Sequence, residues 1–169
     1  MKWAFSDESI RGSTLVVAAV IVDTHAIADS RAQLRSFLRS NQRRVHMRKE
    51  SSRRRRQFVE VVAAAIGEAV AVSCPIGVSI PLARDAALAA LAADLAESGV
   101  VMWQLEWMVD AVQDRDRRVI ASVLREAGRA GLQYDHRAPH EEPLLWAADA
   151  VAWLSSHQRP AWVRRIDLA

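Results

Sequence analysis

A hairpin of extended residues opens the chain and strand–helix alternation follows it, and this order restricts the fold more than any other feature. Residues 3–7 and the β-branched run 15–23 read as strands joined across Arg11, Gly12 and Ser13. Asp29 and Ser30 are placed to cap a helix whose Leu34, Phe37 and Leu38 share one face. Residues 44–47 read as a short strand. The next helix starts near Ser51, buries Phe58, Val59, Val62 and Ile66, and stops at Gly67. Residues 69–78 predict a central strand with an end or bulge at Pro75. Helices over 81–97, 114–129 and 143–154 then alternate with strands over 100–106 and 132–136. A hairpin followed by such alternation implies an α/β fold, a mixed sheet flanked by helices. The apolar tail 160–166 suits packing back on that sheet or pairing with a second subunit, so a homodimer is one expectation.

At 169 residues and 51% hydrophobic content the chain suits one core, and a single domain over residues 1–169 is expected. No long apolar span and no charged-then-apolar leader is visible, so the expectation is a soluble, cytoplasmic protein without a membrane partner. The lone Cys74 rules out an internal disulfide and a cysteine zinc cluster, and fits a small buried strand residue.

Charge is informative in its placement. The net charge is only +3, yet Arg43, Arg44, Arg48, Lys49, Arg53, Arg54, Arg55 and Arg56 crowd one stretch. Such a cluster is a footprint for phosphates, with nucleic acid the expected partner. The plain alternative is a solvated helix face.

Four acids fall at the ends of separate predicted elements or in apolar surroundings: Asp7, Glu50, Glu106 and Asp149. Carboxylates at strand ends and on a helix flanking the sheet can converge and hold a hard divalent cation, Mg2+ or Mn2+. Asp7 is otherwise a turn residue before the hairpin, Glu50 a first-turn helix charge, and Glu106 an exposed strand end. Asp149 lies among Leu144, Leu145, Trp146, Val151 and Trp153, where an ionised carboxylate needs a metal or an arginine. His46 and Lys49 lie beside Glu50; the histidine could move a proton or steer water, and the lysine could hold a phosphate. His136 has the same choices as His46. Asp110, Asp114 and Asp116 read as surface charges or an alternative ligand source, and Trp107 and Trp162 as base-stacking or interface residues.

The opening Phe5-Ser6-Asp7-Glu8-Ser9 and the closing Pro143-Leu144-Leu145-Trp146-Ala147-Ala148-Asp149-Ala150-Val151-Ala152 resemble a large bacterial group with a ribonuclease H-like fold. His46-Met47-Arg48-Lys49-Glu50 and Tyr134-Asp135-His136 resemble its actinobacterial-type subgroup. The resemblance covers most of the chain. It implies a ribonuclease H-like mixed sheet and two-metal hydrolysis of phosphodiesters, with Asp7, Glu50, Glu106 and Asp149 holding the ions. His46 and Lys49 would assist, and Arg43, Arg44, Arg48, Arg53 and Arg54 would bind the nucleic acid. The residues after Glu106 depart from the group's pattern, with Trp107 and Met108 where a small polar residue and arginine are expected. A noncatalytic nucleic-acid or protein-binding module of the same fold, and a phosphohydrolase of small molecules, are the competing expectations.

Overall fold

The computed structural model describes residues 1–77, 79–129 and 131–169. In chain order it places β1 (Lys2–Arg11), β2 (Thr14–Asp23), α1 (Ile27–Ser36), a 3-10 turn (Met47–Lys49), α2 (Ser52–Ala65) and β3 (Glu68–Pro75). These are followed by α3 (Ile80–Glu97), β4 (Val100–Glu106), α4 (Asp110–Glu126), β5 (Gln133–Arg137), α5 (Pro143–His157) and β6 (Arg164–Asp167). The strands form one sheet in the order β5-β4-β1-β2-β3-β6. The β1–β2 and β2–β3 pairs are antiparallel, and β1–β4, β4–β5 and β3–β6 are parallel.

Period-two alternation sorts the strand residues onto two covered faces. Phe5, Val16, Ala18, Val20 and Ala71 pack under α5, α1 and α2. Ala4, Leu15, Val17, Ile21, Val70 and Val72 pack under α3 and α4. Both faces of β2 are therefore buried, which is why its sequence is a continuous apolar run. The β1–β2 turn needs Gly12, whose φ of 58° matches the first central position of a type II′ hairpin. Helix α5 lies across β1 and β2 and is covered by α1 and α2, so it is apolar on nearly every side. Asp149 is its one buried carboxylate.

Several sequence-based boundaries move. β1 continues past Asp7 to Arg11 because β2 stays paired with it as far as Arg11↔Thr14. The parallel ladder to β4, however, ends at Ser6↔Leu105, so Asp7 still stands where one neighbouring strand stops. Helix α1 starts at Ile27 after Ala26, which offers no side-chain cap. Ser30 sits within α1 instead, and its hydroxyl donates to the Ala65 carbonyl at 2.5 Å, tying α1 to α2. No strand forms over residues 44–47: Val45 and Met47 bury their side chains, but the backbone is irregular up to the 3-10 turn. β3 ends at Pro75, and Val78, the expected end of that strand, lies outside the described residues. Helix α4 begins at Asp110, so Asp114 and Asp116 are inside it. The C-terminal tail contributes β6, paired with β3 of its own chain from Val70↔Arg164 to Ser73↔Asp167. No helix among the described residues is long and apolar enough to cross a membrane.

Candidate active site

Strand alternation aims Asp7 and Glu106 at the α5 face of the sheet, where the β1–β4 ladder stops. Asp149 descends on them from α5. All three line one cavity of about 240 Å³, together with His46, Arg48 and Trp153. Asp149 is 8% exposed. Its Oδ2 accepts the Met47 backbone N–H at 2.7 Å and lies 3.0 Å from His46 Nδ1. The 3-10 turn and its histidine therefore hold this carboxylate, and among the described residues no arginine pairs with it. Asp7 lies within hydrogen-bond reach of Glu106, and its Oδ1 accepts the Glu8 N–H at 2.7 Å. Burial pushes the Asp7 carboxyl well above its ordinary 3.8, and the Glu106 charge and hydrogen bond and the Asp149 charge push it further, against the Glu8 N–H.

The same sheet order and the same placement of carboxylates invite comparison with known proteins. Neither a family model nor a curated protein matches the sequence. Among solved structures, ribonuclease HII in the structure of its complex with PCNA from Archaeoglobus fulgidus superposes with a TM-score of 0.59. It is 19% identical, and the match covers 93% of this chain and 73% of that one. The fold is ribonuclease H-like. At that identity the likeness carries the fold and not membership of the bacterial group.

Within this ribonuclease H-like frame, the proposed acids do not all meet. Glu50 is outside the cavity. It is 6% exposed, and its Oε2 takes Arg54 Nε at 2.7 Å while Oε1 takes Gln42 Nε2 at 2.5 Å. Burial raises its pKa, but the bonds from Arg54 and Gln42 and the charges of Arg54 and Arg39 outweigh burial and hold it below 4.5. Glu50 thus joins the start of α2 to the loop after α1. Its contribution to stability is present above pH 4.5 and is lost as pH falls through its lowered value. Glu50→Gln is expected to cost about 1.5–3 kcal/mol in thermal unfolding and to leave cleavage within about threefold. Lost cleavage with unchanged stability would return Glu50 to the ligand set.

The basic residues divide in the same way. Arg54 is stacked over Phe37 at 4.2 Å and bonded to Glu50 and the Phe37 carbonyl, so it serves the core rather than a phosphate. Arg44 Nη1 lies 3.3 Å from Glu106 Oε1 and Arg48 lines the cavity, which places both beside the acids. Arg43, Lys49 and Arg53 are exposed, and none of them lines the cavity.

Among the described residues, no three histidine, cysteine or carboxylate side chains are gathered into a cluster that would already hold a metal ion. The donor chemistry nevertheless suits a hard cation. Asp7 is crowded by two acids, and no arginine, lysine or histidine pairs with it among the described residues, so a cation would offset the charge that these carboxylates bring together.

Sequence reasoning missed one ionic network. Glu8, next to Asp7 but facing the opposite layer, accepts Arg84 Nε at 2.6 Å. Arg84 also pairs with Asp116, whose Oδ2 lies 3.1 Å from His136 Nε2. Asp116 is fully buried. No local signal marks this network, because its members come from β1, α3, α4 and β5 and meet only when the sheet is built.

Proposed function

We propose that residues 1–169 act as one ribonuclease H-like domain and hydrolyse phosphodiesters of nucleic acid with the help of divalent cations, Mg2+ or Mn2+. The observation that carries this is the convergence of Asp7, Glu106 and Asp149 on one cavity bordered by His46 and Arg48. Asp7 and Glu106 would be the first ligands, and Asp149, held by Met47 and His46, would close the set. The ions, when bound, supply Lewis acidity to the phosphoryl oxygens and the attacking water.

This chain's own groups supply the remainder. With Nδ1–H donating to Asp149, His46 presents Nε2 as an acceptor, and among the described residues that nitrogen has no hydrogen-bond partner. His46 is then placed to take a proton from water. Arg48 and Arg44 offset the charge of a phosphate approaching three acids. Trp107, 53% exposed and next to Glu106, offers a face on which a base can stack.

Cleavage of labelled single-stranded DNA, single-stranded RNA, duplex and hybrid substrates should require Mg2+ or Mn2+ and stop on chelation. Mn2+ at about 100 times its dissociation constant should stabilise the fold by about 2.7 kcal/mol. Asp7→Asn should lose that shift. The second reading is a noncatalytic nucleic-acid-binding module, which the arginines beside the cavity, Arg44 and Arg48, would serve without any cation. Nucleic-acid binding that ignores both Mn2+ and Asp7→Asn, without cleavage, would establish that reading instead.

A further inference from the structure

A second cavity lies where the C-terminal ends of α5, β3 and β6 meet the far end of β1, and no part of the acid site uses it. Its volume is about 460 Å³, and its lining includes Arg11, Arg159 and Arg165 against a single carboxylate, Asp167. We propose that this cavity binds a backbone phosphate of the same nucleic-acid strand whose scissile phosphate occupies the acid pocket. The strand assignment rests on the nuclease reading above; the anion preference does not.

Positive charge exceeds negative here even after internal pairing. Asp167 Oδ1 accepts Arg165 Nη2 at 2.9 Å, and Oδ2 lies 3.8 Å from Arg159 Nη1. Arg11 Nη1 reaches the Ser156 and His157 carbonyls at 3.3 and 3.5 Å. Those carbonyls end α5 and would repel an anion, so Arg11 covers the one unfavourable dipole in the cavity. Arg165 is committed to the Ser155 carbonyl, Ser73 Oγ and Asp167, so Arg11 and Arg159, both exposed, are the guanidinium groups that an anion entering the cavity can reach.

Continuity with the acid pocket identifies the anion as part of a strand. Ser9 lines the acid pocket and its Oγ is 3.3 Å from that of Ser156, which lines the second cavity. Trp153, a wall of the acid pocket, stacks at 4.2 Å on His157, a wall of the second. Asp7 and Arg11 are separated by about 13 Å along β1. At about 3.4 Å of rise per nucleotide, that distance corresponds to about four nucleotides of a helical strand.

The test is binding of fluorescently labelled single strands of about three and about twelve nucleotides to the full chain under chelation, over a salt series. Arg11→Gln with Arg159→Gln, both exposed and remote from the core, should weaken the longer strand about tenfold. It should also reduce the salt slope by about 0.7 per lost contact and leave the shorter strand unchanged. Equal affinity and slope in wild type and variant would overturn the proposal. Titration with inorganic phosphate separates the sources: phosphate binding that needs both arginines while the longer strand ignores them would make this a free-anion site and end the strand assignment. Arginine-dependent strand binding without any cleavage would leave this site standing and remove the nuclease reading. Cleavage with no arginine dependence would do the reverse.

Discussion

Asp7→Asn is expected to lower cleavage by about a hundredfold or more while making the cation-free protein more stable. The two effects share a cause. Asp7 is buried beside Glu106 and Asp149, and each of these raises its pKa. A carboxyl whose pKa is higher in the folded than in the unfolded chain favours folding most below its unfolded value near 3.8, and that contribution is lost as pH rises through the folded value. Wild-type stability under chelation should therefore decline from mildly acidic towards alkaline pH more steeply than that of the asparagine variant. Asparagine keeps the shape and removes the charge, so the variant should gain about 0.5–2 kcal/mol at neutral pH. A divalent cation should erase the difference by stabilising only the wild type. Thermal midpoints of both proteins over a pH series, with chelator and then with Mn2+, read every part of this. If the variant melts at or below the wild type and the two pH profiles run parallel, the acids do not repel one another and the proposed cation site loses its physical basis.

Local chemistry made the architecture and part of the site legible. The hairpin shows itself through Gly12 and the β-branched run of β2, and α5 through an apolar stretch in which Asp149 is conspicuous. That Asp7 and Glu106 share one face of the sheet was also readable, because both stand on predicted strands and alternation sends both the same way. What was not legible depended on long-range partners. Glu50 at a helix start reads alike whether it serves a metal or an arginine, and only the fold shows Gln42, Arg39 and Arg54 gathered on it. Helix-end composition could not show that α1 starts at Ile27, since Ser30 is committed to the Ala65 carbonyl across the helix pair. β6 is four residues long, three of them charged, and only its pairing with β3 defines it. The arginine cluster looked uniform in sequence, yet Arg54 turns to Phe37 and Glu50, Arg55 lies over Trp153, and Arg48 reaches the acid pocket. A run of like charges fixes an electrostatic sign, while the helical turn decides which guanidinium faces what.

Asp116→Ala is expected to be the most destabilising single change at a polar position, and to act without touching the acid pocket. Asp116 is wholly buried between Arg84 and His136, and Arg84 carries the pairing on to Glu8. Removing Asp116 takes one of the two carboxylates from the buried Arg84 and strips His136 Nε2 of its partner, at a cost of about 3–5 kcal/mol. For a chain of this size the thermal midpoint should fall by about 10 °C. Glu8 lines the acid cavity beside Asp7, but Asp116 does not, and Arg84 still holds Glu8 in the variant, so activity measured well below the midpoint should stay near wild type. The pair Arg84→Met with Asp116→Leu distinguishes lost charge compensation from lost volume: apolar replacement of both partners should recover part of the loss seen with Asp116→Ala. Recovery is partial because Glu8 and His136 then lose their own bonds, and His136 Nδ1 already has no partner. A midpoint for Asp116→Ala within about 2 °C of wild type would mean that water reaches Arg84 and that the network adds little to the fold. The large drop, with the acid pocket still working, would instead show that the two faces of β1 are energetically separate, one carrying the chemistry and the other holding the strand in place.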